Sequence, residues 1–281
     1  MQDVFRGGLF EGEVVLVTGG GTGIGFDVAR ETGRLGAKIA ICGRRPERLE
    51  AAIASLAADG ITALAEPCDI RQPEQVTAFV DHVCDRFGAI SVLVNNAGGQ
   101  FPTTAEALSP RGFEAVVRNN LLGTWSVTHA VATRAMIPAK RGRIVNVIAN
   151  VARGFPGMVH TGAARAGVEN MTKTLSIEWA QHGIRVNAVA PGVIRTTGTE
   201  QYPPELLEMS RKATPLKRLG TSEEVGHLIT YLCSRVADFV TGQTFYIDGG
   251  ASLWGDTWMI PDTPADASSA SLPIKGGSLP E

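Results

Sequence analysis

Short apolar runs alternate with helically spaced apolar positions along most of this 281-residue chain. Val14-Val15-Leu16-Val17, Ile39-Ala40-Ile41-Cys42, Val92-Leu93-Val94 and Ile144-Val145-Asn146-Val147 are brief, rich in β-branched residues and bounded by Gly, Asn or charge. Such continuous apolarity marks strands buried on both faces, as in a parallel sheet. Ile184-Arg185-Val186-Asn187-Ala188-Val189 and Thr244-Phe245-Tyr246-Ile247 predict two more. Between the runs, Pro46 to Ala58 carries Leu49, Ile53 and Leu56 at helical spacing, with proline in the first turn. Pro73 to Phe87 repeats the pattern with Val76, Phe79, Val80 and Val83. Val168 to Trp179 sets Met171, Leu175 and Trp179 in one row, and Thr221 to Leu232 opens on Thr-Ser-Glu-Glu, a capping signature. Strand and helix in alternation predict an α/β chain: one domain with a Rossmann-type doubly wound parallel sheet.

The pattern stops near Gly255. Residues 1–254 are expected to form the domain and residues 255–281 an irregular C-terminal arm, with Pro261, Pro264, Pro273 and Pro280 among Ser, Ala, Asp and Gly. Trp254, Trp258, Met259 and Ile260 at its root predict that the arm packs on its own or a neighbouring subunit.

Lys and Arg number 26 against 28 Asp and Glu, a net charge of −2 without basic runs, which argues against a nucleic-acid partner. The four cysteines are scattered without metal-ligand spacing, which points to a reducing setting and no structural metal. The first ten residues lack a basic stretch followed by a long apolar run, so no secretory leader is expected, and no apolar run approaches the roughly 18 residues that cross a membrane. The terminal Ser-Leu-Pro-Glu is not a peroxisomal address, so a cytoplasmic location is expected.

Thr18-Gly19-Gly20-Gly21-Thr22-Gly23-Ile24-Gly25 follows the first strand and opens a helix. Glycines there let backbone approach a pyrophosphate, and the helix N-terminus offers aligned N–H donors. The second strand ends Cys42-Gly43-Arg44-Arg45, with guanidiniums where an NAD site carries an acid for the ribose 2′-hydroxyl. A planar cationic fork suits a 2′-phosphate, so NADP(H) is the expected cofactor, held first by Arg44, with Arg45 otherwise a solvated residue before its helix.

Together with later motifs, these residues resemble the short-chain dehydrogenase/reductase family. Thr18 to Gly25 matches its TGxxxGIG motif, and Asp69 its adenine-contacting acid. Asn95-Asn96-Ala97-Gly98 matches NNAG, and Asn120 its catalytic-helix asparagine. Ile184 to Gly192 matches IRVNxVxPG, and Thr241-Gly242-Gln243 with Asp248-Gly249-Gly250 matches the closing TGQ and DGG. The resemblance implies cofactor contacts at Gly19, Thr22, Gly23, Ile24, Gly25, Arg44, Asp69, Ile70, Asn95, Ala97, Gly98, Arg165, Pro191, Gly192 and Ile194. It also implies a homotetramer built through the helices holding Asn120 and Met171.

The chain departs from the family where the chemistry sits. Counting back from Leu175-Ser176-Ile177-Glu178-Trp179-Ala180, the family tyrosine falls on Thr161, its lysine on Arg165 and its serine on Ile148. His160-Thr161-Gly162-Ala163-Ala164-Arg165-Ala166-Gly167-Val168 is similar to the peroxisomal trans-2-enoyl-CoA reductases, and the related 2,4-dienoyl-CoA reductases also lack the tyrosine. Where the enoyl-CoA reductases can carry Tyr after Ala-Gly-Val, this chain has Glu169.

Ketone reduction needs a proton donor for the alkoxide, worth about 10²–10⁴ in rate. Thr161 is too weak an acid for that, and Arg165 too strong a base. Enoyl thioester reduction asks less, since an enolate oxygen needs hydrogen-bond donors and the Cα proton can come later, even from water. The expectation is therefore NADPH-dependent reduction of the C=C bond of a trans-2-enoyl-CoA or 2,4-dienoyl-CoA, an acyl-CoA thioester of fatty acid metabolism. Asn120, Thr161 and Arg165 are the candidate catalytic residues, with Tyr202 of the substrate loop as a possible donor.

Each candidate has a plainer alternative. Asn120 can hold a helix kink and a water, and Thr161 can begin a helix. Arg165 can pair with Glu169 four residues on, and His160 can be structural. Tyr231 and Tyr246 lie in core patterns. Carbonyl reduction with a non-standard acid such as Tyr202 or His160, or non-catalytic NADPH binding, are the alternative functions.

Overall fold

The computed structural model describes residues 5–196, 198–199 and 202–254. The arm expected over residues 255–281 lies outside the described residues.

Seven parallel strands form the central sheet in the order β3-β2-β1-β4-β5-β6-β9. They are β1 (Val14–Thr18), β2 (Lys38–Gly43), β3 (Ala63–Pro67), β4 (Val92–Asn95), β5 (Gly142–Val147), β6 (Ile184–Pro191) and β9 (Thr244–Ile247). The chain winds outward from β1 to one edge, returns through β4 and winds to the other, the doubly wound arrangement expected from the alternation. A two-stranded sheet pairs β7 (Ile194–Arg195) with β8 (Gly220–Thr221) beside the main one.

Every residue of β1 is buried, and its side chains alternate between two cores. Val15 and Val17 join the core under α1 (Gly23–Arg34), α2 (Pro46–Ala58) and α9 (Ser222–Cys233). Val14 and Leu16 join the core under α3 (Pro73–Phe87), α5 (Gly123–Val131) and α7 (Val159–Glu178). This explains why the strand reads as unbroken apolar sequence rather than as alternation.

The spacing does not reveal β3, because Ala63-Leu64-Ala65-Glu66-Pro67 is a partly exposed edge strand with little apolar mass. Tyr246, expected in the core, is 38% exposed on the opposite edge strand. Helix α7 starts at Val159, nine residues before the row beginning at Val168, because its first turns carry polar and small residues. The helix at Thr221 has a reciprocal capping box: the Thr221 hydroxyl accepts from the Glu224 N–H, and Glu224 accepts from the Thr221 N–H.

Helix α4 (Pro110–Val117) runs into a π-helical segment, Arg118–Leu122, and then into α5. A widened turn breaks the regular i→i−4 ladder, and here it falls on Asn120. Thr124 hydroxyl donates to the Asn120 carbonyl at 2.9 Å.

Candidate active site

The loop after β1 is shaped by positions that admit no Cβ. Gly19 has φ +66°, and a Cβ there would lie 3.0 Å from Asn96 Nδ2 and 3.1 Å from Ala97 Cα. At Gly25 a Cβ would come within 2.4 Å of Asn96 Nδ2 and 2.6 Å of the Gly19 carbonyl oxygen. Helix α1 therefore starts directly against the loop, with Thr22 extended at its N-cap. Asn96 closes the assembly by donating to the Thr18 and Gly19 carbonyls at 3.1 and 3.2 Å. Thr18 hydroxyl accepts from the Asn96 and Ala97 N–H groups, both at 3.0 Å.

Beside this loop, at the carboxyl ends of β1, β2 and β4, lies a cleft of ≈ 230 Å³. Gly19, Thr22, Arg44, Asp69, Ile70, Ala97 and Gly98, all expected at the cofactor, line it. Gly23, Ile24 and Gly25 form the first turn of α1 behind it. Asp69 is held by Arg71, whose Nε lies 2.8 and 3.0 Å from the two carboxylate oxygens and keeps that carboxyl below its ordinary range.

Two features of the cleft escaped the sequence reading. Arg48, in the first turn of α2, joins Arg44 and Arg45 on the wall, giving three guanidiniums. A Cβ on Gly21 would touch Arg48 at 3.4 Å, so Arg48 packs against the glycine loop itself. The signal was available in the helix start at Pro46, which sets residue 48 one short turn from the end of β2. Asn95, by contrast, turns away from the cleft. Its amide donates to Thr128 and Asn146 at 2.8 Å each, and Asn146 donates on to Thr172 at 2.9 Å. That buried chain ties β4 and β5 to α5 and α7, and the neighbouring Asn96 takes the place expected for Asn95 in the cleft wall.

Pro191, Gly192 and Ile194 sit where β6 leaves the sheet, and Gly192 and Ile194 border a second cavity of ≈ 110 Å³ with Arg218, Glu224 and Asp248. A Cβ on Gly192 would lie 2.8 Å from Asp248 Cα. Asn150 donates to Asp248 at 2.8 Å, joining the ends of β5 and β9 across this region.

Arg165 of α7 and Asn120 meet around Gly98 and Gly99, and Thr161 lies one turn before Arg165 on α7. Asn120 is fully buried and spends both ends of its amide on Gly99: Oδ1 accepts from the N–H at 3.0 Å and Nδ2 donates to the carbonyl at 2.9 Å. These two bonds clamp the loop after β4 to the π-helical turn. Thr161 is also fully buried, and its hydroxyl lies 3.2 Å from His160 Nδ1.

Arg165 is 8% exposed, and its Nη1 donates to the Val147 carbonyl at 3.0 Å. A Cβ on Gly98 would lie 2.2 Å from Arg165 Nη2, so glycine is needed there to let the guanidinium in. The ion pair with Glu169 does not form, because Glu169 takes Lys173 at 2.9 Å. Burial pulls the Arg165 pKa down to about 10. Ile148, at the family's serine position, packs with Val168, Ala188 and Ala190. Tyr202 reaches over the loop, its hydroxyl accepting from Gln100 Nε2 at 3.4 Å.

A glycine-walled cleft at the carboxyl ends of a doubly wound sheet defines a dinucleotide-binding oxidoreductase class. Within it, the chain belongs to the short-chain dehydrogenase/reductase family: a family model described as enoyl-(acyl carrier protein) reductase matches residues 19–252. The chain is therefore an oxidoreductase, which sets non-catalytic NADPH binding aside. It is 35% identical over 268 residues to a peroxisomal 2,4-dienoyl-CoA reductase of Arabidopsis thaliana, covering 90% of this chain and 88% of that one. A citronellol catabolism dehydrogenase of Pseudomonas aeruginosa PAO1 superposes with TM-score 0.81 at 43% identity, covering 89% of this chain and 98% of the other. A gluconate 5-dehydrogenase of Burkholderia cenocepacia, solved with NADP and tartrate, superposes with TM-score 0.81 at 33% identity, over 86% of this chain and 96% of the other.

Proposed function

We propose that this chain reduces the C=C bond of a trans-2-enoyl-CoA or 2,4-dienoyl-CoA thioester with NADPH. The observation that carries the reading is at the start of α7. The family's acid position holds a buried threonine, and the position one turn on holds a buried guanidinium with no carboxylate within salt-bridge distance among the described residues. The dienoyl-CoA reductase relatives support the thioester class.

NADPH, when bound, supplies the hydride. Arg44 and Arg48 on the cleft wall suit its 2′-phosphate, a charge-assisted contact to which guanidinium forks are matched. The glycine loop and the start of α1 suit the pyrophosphate. Arg165, desolvated beside Gly98, places a fixed positive charge near the reacting end, where negative charge on a thioester oxygen is stabilised more than in water. Asn120 holds the loop 98–101 against the helix so that this geometry is preset.

A second reading, dehydrogenation of an alcohol or reduction of a carbonyl, is favoured by the citronellol catabolism dehydrogenase and by the Tyr202 hydroxyl over the loop. The two separate in one experiment. Purified protein is given NADPH with trans-2-enoyl-CoA, 2,4-dienoyl-CoA, 3-oxoacyl-CoA or an acyclic terpenoid aldehyde, and NADPH consumption is followed. Turnover confined to the unsaturated thioesters is the expected result. Turnover of the oxoacyl thioester or the aldehyde alone would replace the first reading by the second.

No helix among the described residues is long and apolar enough to cross a membrane. A homotetramer belongs to the same proposal, in the cytoplasm expected above, and its assembly is supported by the exposed apolar residues Leu122 and Trp125 beside the Asn120 turn and Ile177 on α7. Light scattering of the purified chain tests it.

A further inference from the structure

His160 stands in the first turn of α7 and is 0% exposed. Its Nδ1 accepts the Thr161 backbone N–H at 2.7 Å, with the Thr161 hydroxyl 3.2 Å away. A ring nitrogen that accepts a backbone N–H carries no proton, so the imidazole is neutral and its proton sits on Nε2. That Nε2 is buried and has no hydrogen-bond partner among the described residues. Buried donors in native structures are met far more often than not, and an unmet one calls for an explanation.

The surroundings supply one. The imidazole meets Phe101 edge to face, with ring centroids 4.7 Å apart, and Phe101 is itself 42% exposed. That half-exposed ring belongs to the loop after β4, where the adjacent Gln100 meets Tyr202. Asn120 donates to Gly99 and Arg165 Nη1 to Val147, each a contact within the protein.

We propose that His160 Nε2–H is the hydrogen-bond donor to the thioester oxygen, the acyl thioester displacing the Phe101 ring from above it. The proposal rests on the enoyl thioester reading. As hydride adds at Cβ, the C=C electron pair moves between Cα and the carbonyl carbon, and the carbonyl π pair moves onto oxygen. The Nε2–H holds that oxygen and keeps its proton. When the enolate collapses, the carbonyl reforms and Cα takes a proton from water. Arg165 contributes charge, and His160 contributes a directed neutral donor.

Two conservative variants separate this role from a structural one. In His160→Gln the amide nitrogen reaches the place of Nε2, whereas in His160→Asn the amide occupies the place of Nδ1 and keeps the acceptor for Thr161. Loss of one oxyanion donor lowers kcat by about 10²–10³, so His160→Asn should fall by that amount and His160→Gln by only about tenfold. NADPH affinity, read by its fluorescence, should be unchanged in both. NMR of the imidazole nitrogens should show a protonated Nε2 in the free enzyme, moving when product acyl-CoA binds.

If His160→Asn is as active as His160→Gln, or more so, His160 serves only to hold Thr161 and the proposal falls. An Nε2 resonance indifferent to acyl-CoA overturns it as well. A wild-type enzyme inert toward both unsaturated thioesters overturns the substrate reading and this inference with it. That outcome is distinct from an active wild type with the variants in reversed order.

Discussion

The two ends of the active-site groove are built on different principles. At the dinucleotide end, recognition lies in the backbone: Gly19 and Gly25 admit no Cβ because other main-chain atoms and Asn96 already fill the space. At the reacting end, recognition lies in side chains on one helix face: Thr161, Arg165 and the neighbouring His160. A backbone cradle is intolerant of change where a Cβ would meet other atoms, as at Gly19, Gly20 and Gly25. A side-chain constellation is exchanged residue by residue while the helix beneath it keeps its course. This is how a family frame persists around altered chemistry.

The largest expected effect strikes the backbone end. Gly25→Ala sets a methyl within 2.4 Å of Asn96 Nδ2 and 2.6 Å of the Gly19 carbonyl oxygen. It should weaken NADPH binding by at least about 100-fold, or ~2.7 kcal/mol, in a fluorescence titration. An unchanged affinity would break the claim that this end is sterically fixed.

Arg44→Ala should be next, because a lost charge-assisted contact costs about 1.5–3 kcal/mol. NADPH affinity should fall by roughly 10- to 100-fold while NADH affinity holds, in parallel titrations of the two dinucleotides. Equal losses for both would remove the 2′-phosphate assignment.

Asn95 sharpens the contrast, since it adjoins the cleft yet serves the scaffold. Asn95→Ala leaves Asn146 Oδ1 and Thr128 short of a partner and should lower unfolding free energy by about 1–3 kcal/mol in urea melts. NADPH affinity should remain near wild type. A selective loss of affinity would return Asn95 to the cofactor.

Arg165 should show the opposite sign. Burial lowers its pKa from the ordinary guanidinium range to about 10, so the folded state disfavours the charge. The unfolded chain binds more protons between those values, so stability from this group rises with pH across that window. At neutral pH the full cost is present. Arg165→Met should therefore raise unfolding free energy by about 1–3 kcal/mol in chemical denaturation, while catalysis drops. A destabilised variant would mean that the guanidinium serves the fold.

The smallest effect lies on the frame. Glu224 is held at a pKa of about 2, first by its bond to Arg218 and also by the Thr221 N–H. Its folded pKa lies below the ordinary 4.5, so its contribution is full above 4.5 and fades as pH falls toward 2. The group is partly exposed and screened, so Glu224→Ala should cost only about 1 kcal/mol, shrinking in acid melts.

Much of this was legible in the order of residues. Apolar runs located six of the seven strands of the main sheet, and the glycine run after β1 located the dinucleotide end, because backbone demands leave a mark on residue type. Strand β3 was not legible because an edge strand needs little apolar mass. The replacement of the family's tyrosine, lysine and serine was visible at Thr161, Arg165 and Ile148. What those replacements do was not. Only the folded chain shows Glu169 paired with Lys173, both ends of the Asn120 amide committed to Gly99, and Arg48 brought against Gly21. Only the fold leaves His160 Nε2 without a partner among the described residues. Sequence fixes which groups are present and where backbone space is required. Partnership between side chains far apart in the chain depends on distances of a few ångströms, and packing alone sets those.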